Sequence, residues 1–281
     1  MGNHWHMTAV NTVRRSARRA SNSSLLVGLT RMGFAGYGVL HLAVAWLAVQ
    51  IALGHAKDSG DQSGAFRTVA GQPFGKFVLV LIIVGLGAMA IWQLLLALNG
   101  HHDKRGGARV FERVASAARA VIYTALAVTA EKVVTGAPAS SADQQQSATA
   151  GVMASPAGIL LVALAGLIVL AVGIGMVWYG WKHKFEEKLQ VSRMSARTRA
   201  LARNLGGAGY VAKGVAFGIV GLLLLDAAVS HNPAKSRGLD SALHTLVQQP
   251  FGVLLLIAVG VGFAAFGLYC FFQARYRKVG S

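Results

Sequence analysis

Gly206-Gly207-Ala208-Gly209-Tyr210-Val211-Ala212-Lys213-Gly214 opens the stretch whose reading decides the fold. An apolar run continues to Val229, and a polar link follows with His231, Asn232, Pro233 and Asp240. A short amphipathic piece, Ser241 to Val247, leads into Gln249-Pro250-Phe251-Gly252. A second apolar run then reaches Phe272 and stops at Arg275. Each run exceeds about 20 residues, enough for a helix to cross a hydrocarbon core of about 30 Å. The unit from Arg203 to Arg275 therefore reads as a helical hairpin in a membrane.

The same unit stands near the start of the chain. Gly33-Phe34-Ala35-Gly36-Tyr37-Gly38-Val39 aligns with Gly209 to Val215, and Gln72-Pro73-Phe74-Gly75 aligns with Gln249 to Gly252. Two motifs kept in order at nearly one offset signal a repeat. A more degraded copy lies between them, with Arg119 to Tyr123 in place of Lys213 to Phe217 and Ser155-Pro156-Ala157-Gly158 in place of the Gln-Pro-Phe-Gly turn. The expected organisation is a basic arm (1–30), repeat one (31–100), repeat two (107–185), repeat three (203–275) and a short tail (276–281).

Three hairpins with this glycine-aromatic opening and this turn resemble the bacterial membrane-protein family called domain of unknown function 1206. The likeness runs from about Arg31 to Arg275 and is weakest in the middle copy. It implies a six-helix inner-membrane protein and carries no assigned activity. The fold expected is all-α and polytopic: six transmembrane helices as three parallel hairpins. Parallel repeats share an axis along the membrane normal, so the arrangement expected is pseudo-three-fold.

Composition agrees. The chain is 54% hydrophobic and 13% charged, with 34 glycines, where soluble domains run near 25% charged. Its net charge of +17 raises nucleic-acid binding as a class, but the placement of the charges argues against it. Outside the apolar runs, 19 Lys and Arg lie in the arm, the second and fourth loops and the tail, against 4 in the first, third and fifth loops. This asymmetry puts both termini in the cytoplasm by the positive-inside rule. The basic excess serves topology and attraction to anionic headgroups. The first apolar run is too long for a cleavable signal. Arg14, Arg15, Arg18 and Arg19 read as a cytoplasmic, lipid-skimming leader, with a twin-arginine export signal as the alternative, and His4 and His6 beside Trp5 do not make a metal site. Cys270 is the one cysteine, so no disulfide or cysteine-based metal site forms within the chain.

The first and fifth loops are expected to hold short surface helices over 65–70 and 241–247, the second capped by Asp240. The third loop, Thr135 to Met153, is expected to be mobile. Phe185 to Leu189 is expected to continue the fourth helix beyond the membrane.

Aligning the repeats brings out polar layers. Tyr37, Arg119 and Lys213 are equivalent near the cytoplasmic ends of helices one, three and five, and His41, Tyr123 and Phe217 lie one turn deeper. Gln50, Lys132 and Asp226 are equivalent near the outer ends. Ionisable groups at mid-helix cost roughly 2.5–3.5 kcal/mol on insertion scales and default to functional candidates. The plainer readings are that Arg119 and Lys213 snorkel to headgroups, that Lys132 pairs with Asp226, and that His41 is a hydrogen-bonded packing residue. Lys213 and Asp226 fall on nearly opposite helix faces at 100° per residue, which argues against a continuous charged conduit. Only 11 residues without formal charge separate Arg119 from Glu131, so helix three is expected to be shielded by neighbouring helices or to line a polar cavity, with Arg119 turned away from lipid tails. Gly214, Gly218 and Gly221 form a small-residue side suited to close helix contact.

No catalytic constellation is legible, and no cofactor or haem ligand set. His55, His231 and His244 with Asp58, Asp61 and Asp240 are the one group that invites a metal, and helix-end histidines at a polar interface are the commoner case. The expected function is a non-catalytic accessory, assembly or scaffold partner of another membrane component. The rival is passage of a small solute or ion through the bundle.

Overall fold

A computed structural model of the chain describes residues 24–100 and 105–278. The arm up to residue 23, with His4, His6 and the leader arginines, lies outside the described residues, as do positions 279–281 of the tail. Six long helices cross the membrane: α1 (Ser24–Ala52), α3 (Gly75–Asn99), α4 (Gly106–Thr135), α6 (Pro156–Trp181), α7 (Ala196–Val229) and α9 (Gly252–Tyr276). Three short helices, α2 (Gln62–Ala70), α5 (Ser141–Val152) and α8 (Leu239–Val247), lie one in each hairpin link. They mark one face of the bundle; the chain's C-terminal end marks the other, the terminal face.

The turn into the second helix of each repeat has a physical logic. Phe74 and Phe251 both adopt left-handed backbone, with φ of 59°. The glycine after each is required by a close approach. A Cβ on Gly75 or Gly252 would overlap the carbonyl oxygen of Val69 or Val247, at the end of the preceding short helix. Gly158 meets Val152 in the same way, so the middle copy keeps the contact although it has lost the glutamine and phenylalanine. There Ser155 caps α6 by accepting from Gly158 N, and Pro156 sits in its first turn, where its missing N–H costs nothing.

Neighbouring helices form an arc in the order α4, α3, α1, α9, α7, α6. Glycine sets the contacts. At the α1–α9 interface a Cβ on Gly38 would stand 2.8 Å from the Gly267 carbonyl oxygen; at α7–α6 a Cβ on Gly214 would stand 2.6 Å from that of Gly173. These pairs are equivalent under the repeat. Within repeats, Gly33 meets Gly85 and Met89, and its counterpart Gly209 meets Phe266, the counterpart of Met89. Such approaches need backbones without side chains between them, the device membrane helices use where no hydrophobic force drives association. Gly166, Gly173 and Gly180 of α6, spaced by seven, face α7 at Gly221, Gly214 and Gly207.

The arc does not close. No extensive contact joins α4 to α6, the two helices of the middle repeat, and they are the least buried of the six. The sequence supplies the reason. Ala115 and Ile168 stand where the other repeats have Gly33 with Gly85 and Gly209 with Gly262, and where a single Cβ on Gly33 would already reach 2.4 Å from its neighbour. Helix three is therefore not shielded as expected.

Several loop expectations are corrected. The third loop is ordered as α5, with Ser140 accepting from Asp143 N as its cap. Gly238, not Asp240, precedes α8, and Asp240 lies in its first turn. Helix α6 ends at Trp181, where His183 turns left-handed with φ of 51°, and 184–188 form a 3-10 turn. That turn drives Phe185 back into the bundle, fully buried over Gly206 and stacked on Tyr210 at 5.5 Å. An aromatic ring surrounded by four others gains more from burial than a continued helix would gain in water.

Overpacking a glycine seam costs about 1–3 kcal/mol. Gly173→Val should lower the unfolding free energy in detergent by that much and the melting temperature with it. Gly175→Val, where a Cβ meets nothing within 4 Å, should change stability by less than about 0.5 kcal/mol. Equal losses in a thermal-unfolding assay would refute the seam.

Candidate functional site

The two terminal-side polar layers meet where α1, α7 and α9 pack together. Lys213 is buried, and its Nζ donates to the Tyr37 hydroxyl at 3.2 Å and to His41 Nε2 at 3.2 Å. His41 Nδ1 is 2.8 Å from the Tyr37 carbonyl oxygen. A carbonyl only accepts, so Nδ1 carries the proton and the neutral ring presents Nε2 as acceptor to the lysine. The backbone of α1 thus sets the tautomer that Lys213 requires. Snorkelling is not what Lys213 does; its stem and head stay inside the bundle.

Aromatic rings close the site. Lys213 Nζ lies 4.1 Å from the Phe266 ring centre and 5.2 Å from that of Tyr37. His41 contacts Phe266 and Phe263, and Tyr123 of α4 meets Tyr37 edge-on at 5.8 Å. Among the described residues no carboxylate forms an ion pair with Lys213. Its charge is held by two lone pairs and two ring faces, a desolvated setting that uncompensated ions rarely occupy. Cys270 is buried nearby, in α9.

Tyr37, His41, Tyr123 and Lys213 therefore gather as one cluster. Arg119, the third member of the Tyr37–Lys213 layer, does not join it: it is exposed on α4, one of the two helices that border the open gap. Neighbouring helices do not cover it, because the third side of the ring is missing. Phe266 was not singled out by sequence reasoning. Its repeat position, equivalent to Met89, was the available signal.

The outer layer is not assembled. Asp226 pairs with Lys235 at 2.8 Å rather than with Lys132, because Lys235 lies in the link that α7 itself leads into. No hydrogen bond or ion pair joins Gln50, Lys132 and Asp226 among the described residues. The outer carboxylates serve structure. Asp61 is buried and accepts from Ser59, Ser63 and Gly64 of its own segment and from Ala142 N of α5. Asp240 accepts from Gly60 N at 2.7 Å. Asp58 pairs with Arg67 at 2.7 Å. Arg67 in turn donates to the Ala139 carbonyl. These bonds tie all three short helices together. No group of three metal-ligating side chains forms among the described residues, and of the three histidines His244 stands beside Asp240, 3.5 Å from its carboxylate. His244 turns to the Asp240 carbonyl at 2.9 Å.

Six apolar helices in three hairpin repeats around a buried polar cluster define a multi-pass α-helical membrane protein. The family described as Domain of Unknown Function (DUF1206) matches residues 32–100, 114–183 and 208–277, and the chain belongs to that family. It is 30% identical over 252 residues to a Bacillus subtilis (strain 168) protein described as "Uncharacterized protein YxxB", covering 89% of this chain and 90% of that one. No solved structure matches the chain.

If Lys213 depends on its two acceptors, Tyr37→Phe and His41→Leu should each cost about 1–3 kcal/mol by leaving a buried donor unmet. In a Lys213→Met background, where the cation is replaced by an apolar chain, both losses should largely vanish. Losses of the same size in both backgrounds, measured as a double-mutant cycle, would show that the three groups are not coupled.

Proposed function

We propose that this protein is a non-catalytic accessory or assembly subunit of another component of the bacterial inner membrane, with both termini cytoplasmic. The observation that carries this reading is the exposed face of α4. Arg119 and Glu131 are both exposed on it. At 1.5 Å per residue they lie about 18 Å apart, roughly 12 Å short of a hydrocarbon core. Snorkelling recovers a few Å for arginine and less for the shorter glutamate. A partner helix seated between α4 and α6 relieves the cost at Arg119: it covers Ile168 and Val172 and offers Arg119 an acceptor.

The packing around Lys213 supports the same choice. The face with Tyr37, His41 and Lys213 meets protein rings rather than an opening, which weighs against solute passage along the bundle axis. Passage draws support only from the buried lysine itself, and flux through vesicles carrying the purified chain would favour it. The distribution of Lys and Arg supports the orientation.

Two measurements test the proposal. A photo-crosslinking residue at position 118 or 122, on the exposed side of α4, should give one discrete protein adduct in native membranes, lost in Arg119→Leu. Lipid adducts alone, or a protein adduct indifferent to Arg119→Leu, would refute it. For orientation, Gln72→Cys and Gln144→Cys should react with a membrane-impermeant reagent in intact cells, and Ser192→Cys only after the membrane is opened. Labelling of Ser192→Cys in intact cells would reverse the topology.

A further inference from the structure

We propose that the terminal face holds a specific site for a phosphate group, built from Arg277 and Trp92. After α9 the chain becomes extended and pairs with the turn beyond α6. Gln190 N donates to the Tyr276 carbonyl at 2.7 Å, and Lys278 N to the Lys188 carbonyl at 3.0 Å. Arg277 is therefore fixed at its backbone on both sides. This pairing lays its guanidinium over two rings of other helices, 4.9 Å from the Phe34 ring centre on α1 and 5.5 Å from that of Trp92 on α3.

What this placement leaves unmet points to a ligand. Trp92 is 3% exposed, and its Nε1 is buried without an acceptor. Arg277 Nε is buried and unmet in the same way, and no carboxylate pairs with the guanidinium among the described residues. The packing that stacks Arg277 on Trp92 thus brings two orphaned donors into one neighbourhood. One turn before Phe34 on α1, Arg31 Nε and Thr30 Oγ1 are also buried without partners. Buried donors without acceptors cost about 1–3 kcal/mol each, and one anionic oxygen group satisfies several at once.

Depth selects the chemistry. Trp92 lies about 26 Å along α3 from Gly75, and Arg277 follows the last turn of α9, so the pair brackets the edge of a core of about 30 Å. Lipid phosphates lie a few Å beyond that edge, within reach of a guanidinium, and a guanidinium on a fixed backbone suits them better than a mobile ammonium. The phosphate belongs to a lipid headgroup or is free phosphate. The site differs from general attraction of the basic face to anionic lipid, because it requires a neutral indole N–H.

The test uses the purified full chain in detergent and native mass spectrometry with added dioleoylphosphatidylglycerol. One retained lipid is expected. Its affinity should fall about tenfold in Arg277→Gln, and severalfold in Trp92→Phe, which keeps the ring packing and removes only the donor. Arg193→Gln, an exposed cation on the same face, should leave it unchanged. Displacement of the lipid by millimolar inorganic phosphate would identify free phosphate as the ligand; retention would identify the lipid. Wild-type affinity in Trp92→Phe, or equal losses in Arg193→Gln and Arg277→Gln, would overturn the site in favour of diffuse charge.

Discussion

Backbone-to-backbone contact through paired glycines is the constraint on which the rest of this structure depends. Lipid tails are as apolar as leucine, so burying apolar side chains gives little drive to bring these helices together, and close packing has to supply it. Gly38 with Gly267 and Gly173 with Gly214 bring helices from different repeats into contact. Gly33 with Gly85 does so within one. Only at these short distances can Lys213 of one helix reach Tyr37 and His41 of another. The polar cluster is thus a consequence of small residues elsewhere, not an independent feature.

The middle repeat shows the same rule by breaking it. Ala115 and Ile168 replace glycines that in repeat one face each other and in repeat three meet Phe266 and Ala212 of the opposite helix. Repeat two keeps its outward contacts, α4 on α3 and α6 on α7, and loses its internal one. A three-fold plan with one seam undone has a side that its own chain does not cover. Arg119 lies on that side, whereas its equivalents are satisfied by each other.

Much of this was legible in the chain. The repeat offset picked out Tyr37, His41, Tyr123 and Lys213 before any contact was known, since equivalent positions in parallel hairpins converge on one axis. The glycine side of α7 was legible for the same reason that it packs: its spacing is helical. What escaped reading depended on distant partners. The helix over 141–152 has a polar, unremarkable sequence and is held by Asp61, about 80 residues away. Phe185 looked like the continuation of a helix because nothing local announces that Gly206 leaves room for its ring. Asp226 found Lys235 across a short link, where the nearby chain outcompetes a residue brought from another repeat.

The seam between α1 and α9 also sets a timetable. About 200 residues separate the end of the first membrane helix from the start of the last, and at about 5–20 residues per second synthesis needs roughly 10–40 s to cover them. Throughout that interval His41 and the glycine face of α1 have no permanent neighbour on that side. Insertion machinery or transient lipid contacts must hold the newborn helix open-faced, and the protein is complete only when its final span returns to its first.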